Sequence, residues 1–262
     1  MITSCKKQIA EEIPGVLEKK ITICHYDKQT GTSQAIEVSK NELAAHLAHG
    51  DLEGDCSSVI TTICDQVWMV KNLDVDHFRN GDPILKITSD DGWVSTFFNR
   101  KAAYCYYNND SATYAASYGK LYNFYAILDP RGLAPVGWHV ASKQDFIKLA
   151  VDCLGGAFIG DPGLLDWRNI SIAGGKMKES GTSHWVSPNA GATNSSRFTG
   201  LPGGARGNSN GNFYDIGTRG TYGIGGDLGF DYCYQLYNLN DVLRFNWDLG
   251  QPTGVSVRCL RD

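Results

Sequence analysis

Two histidines, His46 and His49, have the spacing best suited to metal chemistry. Residues at i and i+3 lie on one helix face, so both imidazoles can reach one divalent ion. Cys24 and His25 stand upstream, and Cys56 closes the segment. A second reading competes: Cys24 and Cys56 joined as a disulfide, stapling a module too small to hold itself together. His46 also falls beside Leu43 and Leu47, which suits a packed core histidine. Adjacent strand residues point to opposite faces, which works against Cys24 and His25 joining one ion.

The elements that would position these groups are short. Ile21 to Tyr26 alternates as a strand, Asp27 to Ser33 reads as a turn, and Gln34 to Val38 returns as a second strand. Ser39 and Glu42 form a capping box, predicting a helix through Leu43 and Leu47 that stops at Gly50. Residues 21–57 are therefore expected to be a small ββα Cys/His module. Residues 1–20, with Pro14-Gly15, read as a tether, and residues 58–262 as the main domain.

Composition bounds the function. The chain has 262 residues, 42% hydrophobic and 20% charged, as in an ordinary globular protein. A net charge of -4 offers no basic stripe for phosphate backbone, so no nucleic-acid partner is expected. None of the eight cysteines forms a C-x-x-C, and their scatter fits an oxidising compartment. Thirteen tyrosines and six tryptophans supply rigid contact area with a polar tip.

Four stretches of the main domain carry a resemblance. They are Gln66-Val67-Trp68-Met69 with Phe78-Arg79-Asn80-Gly81-Asp82-Pro83-Ile84; Ala103-Tyr104-Cys105-Tyr106-Tyr107-Asn108-Asn109-Asp110 with Tyr118-Gly119-Lys120-Leu121-Tyr122-Asn123; Pro135-Val136-Gly137-Trp138-His139-Val140; and Gly254 to Asp262. AGGKMK at 173–178 and LPGGAR at 201–206 lie between the last two. In this order they resemble the Fibrobacter succinogenes major paralogous domain family. That family is similar to the formylglycine-generating-enzyme branch of the C-type-lectin-like fold. The resemblance implies an α+β domain with two helices, a twisted antiparallel sheet, long loops and adjoining chain ends. The sequence departs from the family at Cys64, Ala141, Cys153 and Cys233. The expected second bridge is Cys105 with Cys259.

Two resemblances concern the N-terminal part. Ile2-Thr3-Ser4-Cys5 resembles the end of a bacterial lipobox, which implies lipid on Cys5 and attachment to the outer membrane from the extracellular or cell-surface side. The run ICHY to DC over residues 23–56 is similar to a short module of bacterial extracellular proteins that carries no assigned activity.

Local patterns agree with the main-domain reading. Ser142 to Asp145 can cap a helix through Phe146, Leu149, Ala150, Cys153 and Leu154, ended by Gly155-Gly156. Residues 188–230 read as an ordered loop anchored by aromatic and aliphatic side chains. A hairpin from Tyr232 to Asp248 follows, and its Tyr232, Tyr234, Tyr237, Asn238, Asn240, Arg244, Asn246 and Trp247 have the composition of a binding surface. The function expected is binding or adhesion at the cell surface, toward a glycan or a protein, with no catalysis and no cofactor unless the module takes a divalent metal. The alternative is a structural subunit that packs against copies of itself. Enzymatic chemistry of the formylglycine-generating type lacks a reactive cysteine pair in a family motif. Gly207-Asn208-Ser209-Asn210-Gly211 matches a nucleophile elbow in letters but lacks the strand and helix that make one.

Overall fold

The computed structural model of the chain describes residues 19–160, 169–226, 233–246 and 253–262. The module follows the predicted order. β1 (Ile21–Asp27) and β2 (Thr32–Val38) form a hairpin, α1 (Lys40–Ala48) follows, and β3 (Leu52–Glu53) returns beside β1. Glu42 closes the start of α1, its Oε2 accepting from the Ser39 backbone N–H at 2.8 Å. A single turn, α2 (Cys56–Val59), leads out.

The main domain begins with the hairpin β4 (Ile60–Ile63) and β5 (Gln66–Met69). Short elements follow: β6 (Leu85–Lys86), α3 (Asp90–Phe98), β7 (Ala103–Cys105), α4 (Ser111–Tyr118), β8 (Leu121–Tyr122) and α5 (Phe124–Ile127). Next come β9 (Trp138–Val140), α6 (Lys143–Ile147), β10 (Phe158–Ile159), β11 (Asn169–Ile170) and α7 (Ala173–Met177). The chain ends in β12 (Gly203–Arg206), β13 (Phe213–Ile216), β14 (Arg219–Gly223), β15 (Cys233–Tyr237), β16 (Leu243–Asn246) and β17 (Cys259–Arg261).

The result is α+β, mostly sheet with few and short helices. β17 lies between β5 and β9 in a four-stranded sheet, so the two ends of the domain adjoin. A seven-stranded sheet runs β10-β11-β16-β15-β14-β12-β13. Two expectations need correction. From Ile60 onward the described residues hold five α-helices and three sheets, not two helices and one sheet. The span expected to be loop contains β12, β13 and β14. Its glycines and asparagines hid the strands, because alternating apolar residues are sparse there.

The capped helix forms where expected. Ser142 N–H donates to Asp145 Oδ2 at 2.8 Å, and Asp145 N–H donates back to Ser142 Oγ at 3.2 Å. α6 then widens into a π-helical turn over Lys148–Cys153, and Gly155 leaves with φ +67°. Phe146 packs on Tyr234, ring centroids 4.7 Å apart, and on Trp68 at 5.2 Å. Phe198, Tyr222, Leu236 and Leu243 complete this core. A second core gathers Met69, Phe78, Tyr122, Trp138, Val257 and Cys259, and a third Trp93, Cys105 and Leu121.

The module is docked on the main domain. Gly50, at φ +101°, lies so close to the Val136 carbonyl that a side chain there would collide with it, and Trp138 Nε1 donates to Gly50 O at 2.8 Å. Arg261 stacks over Tyr26 at 4.1 Å and donates to Ser33 Oγ at 2.8 Å.

Candidate metal centre and candidate ligand surface

The C-terminal hairpin divides its residues sharply. Tyr234 is 1% exposed and belongs to the core, which removes it as a ligand contact. Asn238 is also buried, its amide donating to the carbonyls of Val186 and Ser187 at 3.3 and 3.5 Å, so it too is corrected to a structural role. β15 is covered on both faces, so alternation did not separate ligand side from core side. Tyr237 is half-buried, with the Arg219 guanidinium 4.7 Å and the Arg244 guanidinium 4.8 Å from its ring centroid. Arg244 is exposed, and Leu239 at the tip is 70% exposed. Asn240 is half-buried and its Oδ1 accepts from Val242 N–H. Asn246 pairs with Cys233 through its place in β16. Tyr232, Trp247 and Cys5 lie outside the described residues.

Four basic residues of the recurring motifs are buried, and a fifth, Arg79, lies at the surface. Arg258 is 1% exposed, and its Nη1 donates to the carbonyls of Met69, Val70 and Phe198 at 2.9, 2.5 and 2.7 Å. Arg206 donates to Gly211 O, Ile87 O and Thr88 O and pairs with Asp90 at 2.9 Å. Lys178 Nζ donates to the carbonyls of Ala190, Tyr237 and Asn240 at 2.8, 2.8 and 2.9 Å, and burial pulls this amine down to about 8. Lys120 holds Asp74 through its carbonyl and its carboxylate. Arg79 holds the carbonyls of Ala134, Pro135 and Trp138. A fold built from irregular segments leaves many carbonyls without strand or helix partners, and each must find a donor. Lysine and arginine bring three to five donors on one side chain.

In the module, three imidazoles converge on one carboxylate. Asp51 Oδ2 lies 2.8 Å from His25 Nδ1, 2.8 Å from His46 Nδ1 and 3.6 Å from His49 Nδ1. Asp51 Oδ1 accepts the Tyr26 backbone N–H at 2.9 Å, which turns Oδ2 toward the rings. The Asp51 side chain is 1% exposed. Burial raises its carboxyl pKa, and the hydrogen bonds from His25, Tyr26 and His46 outweigh that, leaving it below its ordinary value. His25, His46 and Asp51 form a group that could hold a metal ion. The sequence paired His46 with His49 and set His25 aside. The rule that Cys24 and His25 face opposite ways held, since Cys24 bonds to Cys56 while His25 faces the helix. Asp51 was missed; a carboxylate directly after His46-x-x-His49-Gly50 was the available signal.

The family model of the Fibrobacter succinogenes major domain matches residues 61–261. The chain belongs to this family. No curated protein and no solved structure matches it. The matched residues begin just after α2, so the Cys/His module lies outside the family domain. The four buried cations, Lys120, Lys178, Arg206 and Arg258, and the exposed Arg79 all lie inside it, each in a motif that carried the resemblance.

The cysteines of the family domain also correct an expectation. Cys105 and Cys259 are free thiols buried in different cores, and so do not bridge. Burial pushes both thiols, and that of Cys233, up to about 12. Cys64 bonds instead to Cys153, tying the β4–β5 turn to the end of the π turn. Both were departures from the family pattern; Cys233, the third such cysteine, is a buried free thiol, so the departures alone did not say which two would pair.

Proposed function

We propose that this protein is a non-catalytic binding protein of the cell surface or the secreted space, built on a C-type-lectin-like variant of the α+β fold. Its contact surface is the outer side of the β15–β16 hairpin, and its ligand is a glycan or a protein carrying acidic groups. The stack of Arg219, Tyr237 and Arg244 beside the exposed Leu239 carries this reading. Arginine and tyrosine are common binding hot spots, and guanidinium groups pair with carboxylates through two parallel bonds. The buried, protonated cysteine thiols support a role without thiol chemistry. A lipid on Cys5 would hold the chain at the outer membrane.

Screening the full chain against acidic and neutral glycans tests the proposal. Arg244→Ala and Tyr237→Ala should each weaken binding by more than about 1 kcal/mol with an unchanged melting midpoint. Equal affinity in both variants would remove the hairpin as the site. The alternative, a structural subunit, draws on exposed Leu239 and Val186, which occupy turns joined by the Asn238–Val186 hydrogen bond. Growth of assemblies with concentration in sedimentation, abolished by Leu239→Ser, would favour it.

A further inference from the structure

We propose that His25, His46, His49 and Asp51 bind one tetrahedral Zn²⁺ that locks the N-terminal module. The site joins three separate elements: His25 comes from β1, His46 from α1, and His49 and Asp51 from the turn between α1 and β3. A tetrahedral zinc with bonds of about 2.0–2.1 Å places its ligand atoms roughly 3.3 Å apart. The ligand atoms of His25, His46 and Asp51 lie within 4.8 Å of one another, and both Nδ1 atoms stand 2.8 Å from Asp51 Oδ2, near that edge; His49 Nδ1, 3.6 Å from Oδ2, lies outside this group and turns in as the fourth ligand when the ion binds. The rings already face one another edge-on, with centroids 5.2 to 6.0 Å apart.

The outer shell is set as well. The Tyr26 backbone N–H occupies Asp51 Oδ1 and leaves Oδ2 as the inward ligand atom, an arrangement that orients metal-binding carboxylates generally. Three nitrogens and one oxygen suit zinc among the abundant divalent ions, since calcium and magnesium require mostly oxygen. With His49 turned in, four protein ligands close the shell, so the ion is structural and leaves no open position for a reacting water. Binding uses the Nδ1 lone pair of neutral imidazoles, with the ring proton on Nε2, and the Asp51 carboxylate supplies one negative charge. The arrangement complements the Cys24–Cys56 bridge, which fixes β1 to α2 on the other face of the strand.

The test uses the full oxidised chain, stripped with chelator and titrated with Zn²⁺ alone by calorimetry. One ion per chain is expected, and Co²⁺ in its place should give the intense visible absorption of a tetrahedral site. His46→Ala and Asp51→Asn should each weaken Zn²⁺ binding roughly 100-fold, since even outer-shell changes cost about 10–100-fold. His49→Ala should weaken it about tenfold or more and alter the visible Co²⁺ spectrum, because a water then takes the fourth position. His77→Ala, at an exposed histidine paired with its neighbour Asp76, should bind as the parent does. A circular-dichroism spectrum and mass-spectrometric confirmation of the Cys24–Cys56 bridge verify that each variant is folded. No stoichiometric zinc on the parent chain would overturn the proposal, leaving a hydrogen-bonded histidine cluster. Unchanged affinity in folded Asp51→Asn and His46→Ala would overturn it equally.

Discussion

Replacing Arg258 with methionine separates a structural motif from a functional one. The guanidinium is fully enclosed, stacked 4.4 Å over Phe198, and it donates to backbone carbonyls of Met69, Val70, Phe198 and Thr199 and to Asn72 Oδ1. Burial lowers its proton affinity, Tyr222 partly restores it, and the group stays charged at any ordinary pH. Methionine fills much of the volume but supplies no donor. Four carbonyls then lose a partner in a region closed to water, at about 1 kcal/mol or more for each. Releasing the guanidinium from burial offsets part of this, but removing one partner of a buried charged network typically costs about 3–5 kcal/mol overall. For a domain of this size each kcal/mol moves the melting midpoint by about 2–4 °C, so a drop on the order of 10 °C is expected. Arg258→Lys should fall between, keeping the charge but not the planar fork. Calorimetry, with urea midpoints at unchanged m value, measures the loss. A loss below about 1 kcal/mol would refute the reasoning. Weakened ligand binding at an unchanged midpoint would refute it too, by moving Arg258 from the scaffold to a site.

Two further predictions concern the module and the His139 cluster. Cys24→Ser with Cys56→Ser opens a link of sequence separation 32, and loop-closure entropy puts the loss at about 3–4 kcal/mol; protease nicking between residues 21 and 57 should accelerate, and equal resistance would deny the bridge its role. His139 faces Asp262 with Nδ1 at 2.8 Å and Asp145 with Nε2 at 3.2 Å, so both nitrogens are best served by donating, and its pKa is raised, first by Asp145. Its stabilising contribution is full below the unfolded histidine value of about 6.5 and is lost as pH rises through the raised folded value. Asp145 is shifted the other way: burial raises it, but His139 and Ser142 more than compensate, so its contribution is present above about 3.9 and lost as pH falls through its lowered value. His139→Gln should therefore flatten the fall in urea midpoint above about pH 6.5, modestly because the ring is 39% exposed. A parent protein whose midpoint does not fall there would contradict the assignment.

The amino-acid sequence by itself determined the ββα order of the module, the capped helix after Ser142 and the family of residues 61–261, and it offered the Cys24–Cys56 bridge as one of two competing readings. These rest on local signals: alternation, a Ser–Glu or Ser–Asp pair three residues apart, and motif text. Tertiary structure decided what the motifs are for. Nothing along the chain says that Lys178, the second lysine of AGGKMK, turns inward to the carbonyls of Ala190, Tyr237 and Asn240, because the acceptors are backbone groups with no sequence signature. It also decided which hairpin tyrosine is core, since β15 is buried on both faces and a period of two carries no information there. The histidine cluster lies between these cases. Spacing alone placed His46 and His49 near each other, whereas bringing His25 onto the same carboxylate required α1 to fold back over β1. That packing is a long-range event, and it gathered His25 and His46 around Asp51, with His49 nearby.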